Sequence, residues 1–356
     1  MNNNSYFRSA VEAMAGYVPG EQPKMANLIK LNTNENPYPP SPKVAEVLQS
    51  FDYEHLRRYP SPRADDLCET AARLYGFKRD EVIAGNGSDD ILTMAFRCFT
   101  APDRPLACLM PTYSLYFSLA EIQAAPVMPI RLNSGDFSLP ADLLDRAKGA
   151  NLLIITRPNA PTGNTFCHRA MTEICGRFNG VVLFDEAYAD FADDNCLDLA
   201  REFDNVIVSR TLSKSYSLAG LRLGLAMGSR RLIEGMYKVK DSYNVDMLTQ
   251  FIGQAALQDQ AYLRQNVAKI RATRTRLTAE LARLGFDVVP SSTNFVFAAP
   301  PDRDGGRFFK MLREQAILVR YFSGETTGAY VRISVGAEAD VDRLLKVTEL
   351  YLQMRK

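Results

Sequence analysis

Short apolar runs near 106–110, 127–130, 152–156, 181–185 and 206–210 alternate with segments of helical spacing. No other feature limits the fold as strongly. A strand buried on both faces reads as a continuous apolar run, and strands that alternate with helices pair in parallel. A mostly parallel sheet wrapped by helices is therefore expected. In such sheets ligands gather at the carboxyl ends of the strands. Three of those ends carry polar residues: Pro158-Asn159-Ala160-Pro161-Thr162-Gly163, Asp185-Glu186-Ala187-Tyr188, and the loop around Lys214.

The flanks divide the chain. Residues 1–40 are rich in turns and prolines, but Leu28, Ile29 and Leu31 should pack as a short strand, which makes this stretch an ordered arm. Ser41-Pro42 supplies an N-cap and a proline at the first helical position, and Val44, Val47, Leu48 and Phe51 follow at helical spacing. A second helix is expected over 64–75, ending at Gly76. From Val82 to Phe96 the pattern is strand, glycine turn, helix. Ser88 is the expected N-cap, and Asp89 and Asp90 suit the positive first turn. Such a turn aims free N–H groups at one point and can bind a phosphate. Beyond about 255 the pattern becomes a long helix (257–284), strands near 286–289 and 294–298, a helix near 305–315, strands near 317–321 and 329–335, and a helix from 339. The expected organisation is an arm (1–40) packing with a small α+β domain (255–356), and a large domain (41–254).

With 356 residues, 46% hydrophobic, the chain can bury the cores of two domains. A net charge of +1 without runs of one sign gives no footprint for nucleic acid or an anionic membrane. No apolar run approaches the roughly 18 residues that span a bilayer, and the first residues hold no apolar core of a secretory signal. Six cysteines without C-x-x-C spacing and two histidines argue against a disulfide framework and against a metal site. A reducing cytoplasm is the expected setting.

Lys214 carries the chemistry. Val206, Ile207 and Val208 lead into a Ser/Thr-rich turn that holds it, and Arg222 follows eight residues later. Desolvation and nearby positive charge lower a lysine pKa and free its amine as a nucleophile. Ser213, Arg222 and backbone N–H groups would hold an anion beside that amine. A lysine beside a phosphate cradle points to a Schiff base with pyridoxal phosphate. Asp185, ending an apolar strand, needs a partner, and a protonated pyridine nitrogen is one. A helix N-terminus or an arginine would serve as well. Tyr113 and Tyr188 sit in loops, where plain packing is the commoner role. Arg320 and Arg332, on successive strands, are either solvated surface groups or a fork for a carboxylate or phosphate.

Taken together these segments resemble the pyridoxal-phosphate aminotransferases of fold type I, and within them the histidinol-phosphate aminotransferases. The resemblance covers nearly the whole chain. It rests on Gly-Tyr-Val-Pro-Gly, Leu-Asn-Thr-Asn-Glu-Asn-Pro, Tyr-Pro, Gly-Asn-Gly-Ser-Asp-Asp, Pro-Thr-Tyr, Pro-Asn-Ala-Pro-Thr-Gly, Asp-Glu-Ala-Tyr, Thr-Leu-Ser-Lys with an Arg eight residues on, and Val-Arg-Ile-Ser-Val-Gly. It implies that Lys214 carries the cofactor, Asp185 pairs with the ring nitrogen, Tyr188 bonds the phenolic oxygen, and Tyr113 stacks on the ring. It places the cofactor phosphate on Ser88, Asp89, Ser213 and Arg222, with Tyr59 reaching it from the partner of a homodimer with shared active sites. Tyr17, Arg320 and Arg332 would receive the anionic end of the substrate. The implied reaction moves an amino group between histidinol phosphate and 2-oxoglutarate, with glutamate as product, in histidine biosynthesis. Transamination of aromatic amino acids, decarboxylation of threonine phosphate, and a non-catalytic pyridoxal-phosphate-binding regulator are the alternatives. One departure stands out. Relatives often carry Asn directly before Pro-Thr-Gly, bonded to the ring oxygen; here that position is Ala160, preceded by Asn159. Either Asn159 makes that bond or Tyr188 makes it alone.

Overall fold

The computed structural model describes residues 6–353. The first five residues of the expected arm and the last three of the expected small domain lie outside these. Strand β1 (Ile29–Lys30) belongs to the arm. Seven further strands form one sheet: β2 (Val82–Gly85), β3 (Leu106–Met110), β4 (Val127–Arg131), β5 (Leu152–Thr156), β6 (Val181–Asp185), β7 (Val206–Thr211) and β8 (Gly224–Gly228). Their order is β2-β8-β7-β6-β5-β3-β4. The run from β7 to β4 is parallel throughout, as the apolar runs imply. Burial alternates along β6: Val182 and Phe184 enter the core on one face, Val181 and Leu183 the core on the other.

Strand β8 is antiparallel to both neighbours. A short 3₁₀ turn at Ala219–Leu221 and a left-handed Arg222 (φ 57°) send the chain back beside β7. Its sequence, Gly-Leu-Ala-Met-Gly, has no β-branched residue and a glycine at each end, so nothing local marks it as a strand.

A four-stranded antiparallel sheet follows, ordered β12-β13-β10-β9, from β9 (Asp287–Val289), β10 (Phe295–Ala299), β12 (Arg320–Tyr321) and β13 (Val331–Ser334). Helices Gln260–Arg283, Gly305–Glu314 and Glu338–Gln353 close a core around it with Leu277, Leu281, Phe308, Leu312, Leu344 and Val347. The segment expected as one strand near 317–321 is two. Its first half, β11 (Ile317–Leu318), pairs in parallel with β1 of the arm, and its second half, β12, pairs with β13. The two halves separate because each satisfies its backbone on a different partner.

Two local expectations also shift. The long helix starts at Gln260, not 257, because Asp259 caps it by accepting from Tyr262 N–H, while 257–258 finish the preceding helix, Met247–Gln258. In helix Ser88–Phe99 the cap is Gly87, with φ 85°, and Ser88 is the first helical residue. That φ lies where only glycine is at ease, which displaces the serine from the capping position.

Candidate active site

The register brings the carboxyl ends together. Thr156 pairs with Asp185, Asp185 with Ser209, Thr211 with Gly224, and Gly224 with Gly85. Because β8 runs antiparallel, its first residue lies at the edge where β2 and β7 end. The glycine turn before helix Ser88–Phe99 and the Lys214 loop after β7 therefore share one edge of the sheet.

At that edge the turn is too close-packed for side chains. A Cβ on Gly87 would lie 2.6 Å from Arg222 Nη2, and one on Gly224 would lie 2.5 Å from the Gly87 carbonyl carbon. No side chain caps the helix N-terminus. Arg222 Nη1 donates to Ser213 Oγ and Nη2 to Asp89 Oδ2, both at 3.3 Å. Tyr113 Oη donates to the other oxygen of Asp89, also at 3.3 Å. Uncapped N–H groups, a guanidinium and a hydroxyl thus converge, as an anion cradle requires. Of the expected phosphate ligands, Ser88, Asp89, Ser213 and Arg222 gather here.

Asp185 is buried at the tip of β6. Burial pushes its carboxyl up from its ordinary value, and a 2.6 Å hydrogen bond from Tyr116 Oη opposes the rise. Tyr116, 69 residues from Asp185 in the chain, carries no local signal that would pair the two. The Tyr113 ring stands edge-on to both Tyr17 and Tyr116, with centroids 5.8 and 5.7 Å away.

Lys214 is only partly exposed, and its amine donates to the Thr33 carbonyl at 2.9 Å. Desolvation, followed by the field of Arg332 and, more weakly, Arg222, lowers its pKa to about 8. The carboxylates of Glu35 and Asp89 oppose that fall. An amine so placed is half neutral near pH 8, and part of it is neutral at physiological pH, as a nucleophile or base must be.

The Leu-Asn-Thr-Asn-Glu-Asn-Pro segment supplies residues to which the resemblance gives no role. Asn34 is buried and links Tyr188 Oη to Ser334 Oγ, and Asn36 Nδ2 donates to the Lys214 and Ser215 carbonyls at 3.1 Å. Arg332 Nη2 donates to the Asn32 carbonyl at 2.8 Å, and its guanidinium lies 5.2 Å from the Phe295 ring centre and 5.4 Å from that of Phe322. Arg320 stands directly across from Arg332 on the neighbouring strand. Asn159 is fully buried; its amide hydrogens go to the Pro111 carbonyl and Thr162 Oγ1, and Oδ1 has no partner. Tyr59 is set apart from this group. It is 78% exposed, with its ring stacked on Tyr243.

The turn after β6 rests on buried charge. Arg210 pairs with Glu186 and Asp190 at 2.8 Å each, and Ser215 donates to Asp190. A concavity of about 1050 Å³ lies at the opposite edge of the sheet, where β5, β6 and β7 begin, and none of these groups lines it. Among the described residues no cluster of potential metal ligands occurs, and no helix is long and apolar enough to cross a membrane.

A family model described as aminotransferase class I and II matches residues 26–347. The chain belongs to that family. This aminotransferase is 46% identical over 340 residues to the histidinol-phosphate aminotransferase of Geobacter sp. (strain M21), covering 95% of this chain and 96% of the relative. It is 48% identical over 339 residues to that of Syntrophotalea carbinolica, covering 95% and 97%. Its fold matches a crystal structure of histidinol-phosphate aminotransferase from Sinorhizobium meliloti in complex with pyridoxal-5'-phosphate, with TM-score 0.88, 22% identity and coverage of 98% and 99%. Pyridoxal phosphate is the cofactor of this class, and the residues present fit it: an uncapped helix start beside close-packed glycines suits the phosphate, a buried carboxylate suits the ring nitrogen, and a lysine of lowered pKa follows the neighbouring strand β7.

Proposed function

We propose that this aminotransferase transfers the amino group of histidinol phosphate to 2-oxoglutarate, giving imidazole-acetol phosphate and glutamate, in histidine biosynthesis. One observation carries the reading: the Lys214 amine shares its edge of the sheet with Asp185 and the Arg222 cradle, in a chain 46–48% identical to histidinol-phosphate aminotransferases along nearly its whole length.

In this reading Lys214 anchors the cofactor. The N–H groups of Ser88 and Asp89, with Ser213 and Arg222, would hold its phosphate, and Asp185 would keep its ring nitrogen protonated. Tyr113 would pack on the ring and Tyr188 would donate to the phenolic oxygen. The bound cofactor supplies a conjugated cationic ring that takes up the electron pair left when the substrate Cα loses a proton. Lys214 Nζ, neutral for this step, removes that proton. Arg320 and Arg332, with Tyr17, receive the far anionic end of the substrate, since a guanidinium grips a phosphate or a carboxylate equally well.

The reading includes the division into arm, large domain and small domain near residues 40 and 254, and a homodimer in which Tyr59 reaches the partner's cradle. Exposed apolar side chains support the dimer: Leu48, Tyr53, Leu56, Tyr59 and Phe251 all face solvent along adjoining elements. A monomeric protein rarely leaves such a patch uncovered. The activity test is steady-state turnover with 2-oxoglutarate as acceptor. A kcat/KM for histidinol phosphate far above that for phenylalanine or threonine phosphate is expected. A preference for phenylalanine would move the enzyme to aromatic amino acids.

A further inference from the structure

We propose that Asn34 is a positioning residue that decides which way the Tyr188 hydroxyl donates its proton. The inference rests on the cofactor reading above, and it concerns a residue to which that reading assigns no role.

Asn34 lies in the arm segment that follows β1, is 1% exposed, and has φ 56°, a left-handed conformation that asparagine tolerates better than most residues. Its backbone N–H donates to Ser334 Oγ at 2.9 Å, and Ser334 Oγ donates back to Asn34 Oδ1 at 3.0 Å. Its carbonyl accepts from Asn294 Nδ2 at 2.9 Å. These bonds hold the residue at both ends and set the amide orientation: Oδ1 faces Ser334, so Nδ2 faces Tyr188. Nδ2 then donates to Tyr188 Oη at 2.9 Å. A phenol has one proton to give. Since Tyr188 Oη accepts from Asn34, that proton is not spent on Asn34 and is left for another acceptor.

Asn159 makes this matter. Its two amide hydrogens are engaged by Pro111 and Thr162, and only an acceptor oxygen remains. An acceptor cannot serve a phenolic oxygen that itself needs a donor. Tyr188 is therefore the donor to that oxygen, and Asn34 keeps it one. Other groups facing Tyr188 are Arg332, Asp185 and the hydroxyls of Tyr17 and Tyr113, and the variants below leave all four in place.

The test uses the holoenzyme and its visible absorbance against pH. Bound through Lys214, the cofactor would supply a visible band that reports a titrating proton beside its phenolic oxygen. A donor on that oxygen stabilises the deprotonated form and lowers the midpoint. Asn34→Asp is nearly isosteric and keeps the bond from Ser334, but its carboxylate turns Tyr188 around as a donor to itself. Asn34→Asp and Tyr188→Phe should raise the midpoint by the same amount, about one pH unit, the scale of one charge-assisted hydrogen bond. The double variant should rise no further than Tyr188→Phe. Asn34→Gly, which suits the left-handed backbone and adds no charge, should move the midpoint upward by less and guards against misfolding of the aspartate variant.

An Asn34→Asp midpoint equal to wild type, beside a shifted Tyr188→Phe, would overturn the proposal. So would an unmoved Tyr188→Phe. An Asn34→Asp shift that persists undiminished in the Tyr188→Phe background would also overturn it, because that marks a through-space charge effect. The titration needs no substrate, so the proposal survives if the amine assignment fails and falls with it only if the wild-type protein takes up no cofactor.

Discussion

The amine of Lys214 donates a 2.9 Å hydrogen bond to the carbonyl of Thr33, 181 residues earlier in the chain. The segment after β1 thus holds the Lys214 nitrogen, while desolvation and the charge of Arg332 make it easier to deprotonate. Pairing of β1 with β11 fixes the arm there, so the local chemistry of Lys214 depends on a long-range strand contact.

The lysine should titrate near pH 8 in cofactor-free protein, against an ordinary 10.5. The sign follows from linkage. Between these values the unfolded chain keeps a proton that the folded chain has lost, so apo-protein stability rises with pH through this window; below about 8 the full cost of burying the charge remains. Lys214→Met should stabilise apo-protein at pH 7 by about 1–3 kcal/mol. Urea unfolding of both proteins at pH 7 and pH 10 checks this, and the gap should narrow at the higher pH.

Gly224→Ala should loosen the phosphate cradle. The new Cβ meets Gly87 backbone at 2.5 Å, and backbone cannot swing aside as a side-chain tip can. A loss of about 1–3 kcal/mol in stability is expected from such overpacking, with cofactor affinity reduced at least about tenfold. Denaturant midpoints and equilibrium dialysis against pyridoxal phosphate measure the two effects.

Arg210→Met should destabilise by about 3–5 kcal/mol, because it leaves the fully buried Glu186 carboxylate without its 2.8 Å partner. Adding Glu186→Leu should recover part of the loss. Thermal unfolding of the single and double variants decides the point, and equal melting temperatures for wild type and Arg210→Met would contradict it.

Arg332→Lys keeps the charge and loses the planar fork that sits beside Phe295 and Phe322. A charge-assisted pair is worth about 1.5–3 kcal/mol, or about 10- to 150-fold in kcat/KM. The loss should appear with histidinol phosphate and with 2-oxoglutarate alike, since both present an anion. Steady-state kinetics on each substrate will show whether it does.

The parallel sheet was legible because each of its strands is a run of buried apolar residues. Lys214, Asp185 and Arg222 were legible because strand ends and a Ser/Thr-rich turn carry a local signal. Strand β8 escaped notice because glycine, alanine and methionine hold no strand preference, and only its neighbours make it one. Asn34 stands in the Leu-Asn-Thr-Asn-Glu-Asn-Pro motif but nothing there gives it a role, and Tyr116 has no signal of its own. Asn34 meets Tyr188 and Ser334 across 154 and 300 residues, and Tyr116 meets Asp185 across 69. The displaced cap at Gly87 has a different cause. Serine is the better cap by preference, but a turn squeezed between Arg222 and Gly224 leaves no space for a side chain there.

The most direct test of the account is a half-reaction. Holoenzyme is mixed with histidinol phosphate and no keto acid, and the absorbance of the bound cofactor is followed, with phenylalanine, glutamate and threonine phosphate in parallel. Rapid, stoichiometric conversion of the bound cofactor to its pyridoxamine form with histidinol phosphate, much slower conversion with phenylalanine, and no such conversion in a Lys214→Ala variant, whose cofactor can only condense with the amine, are predicted. Loss driven mainly by phenylalanine, or a Lys214→Ala protein that reacts at the wild-type rate, would contradict the account.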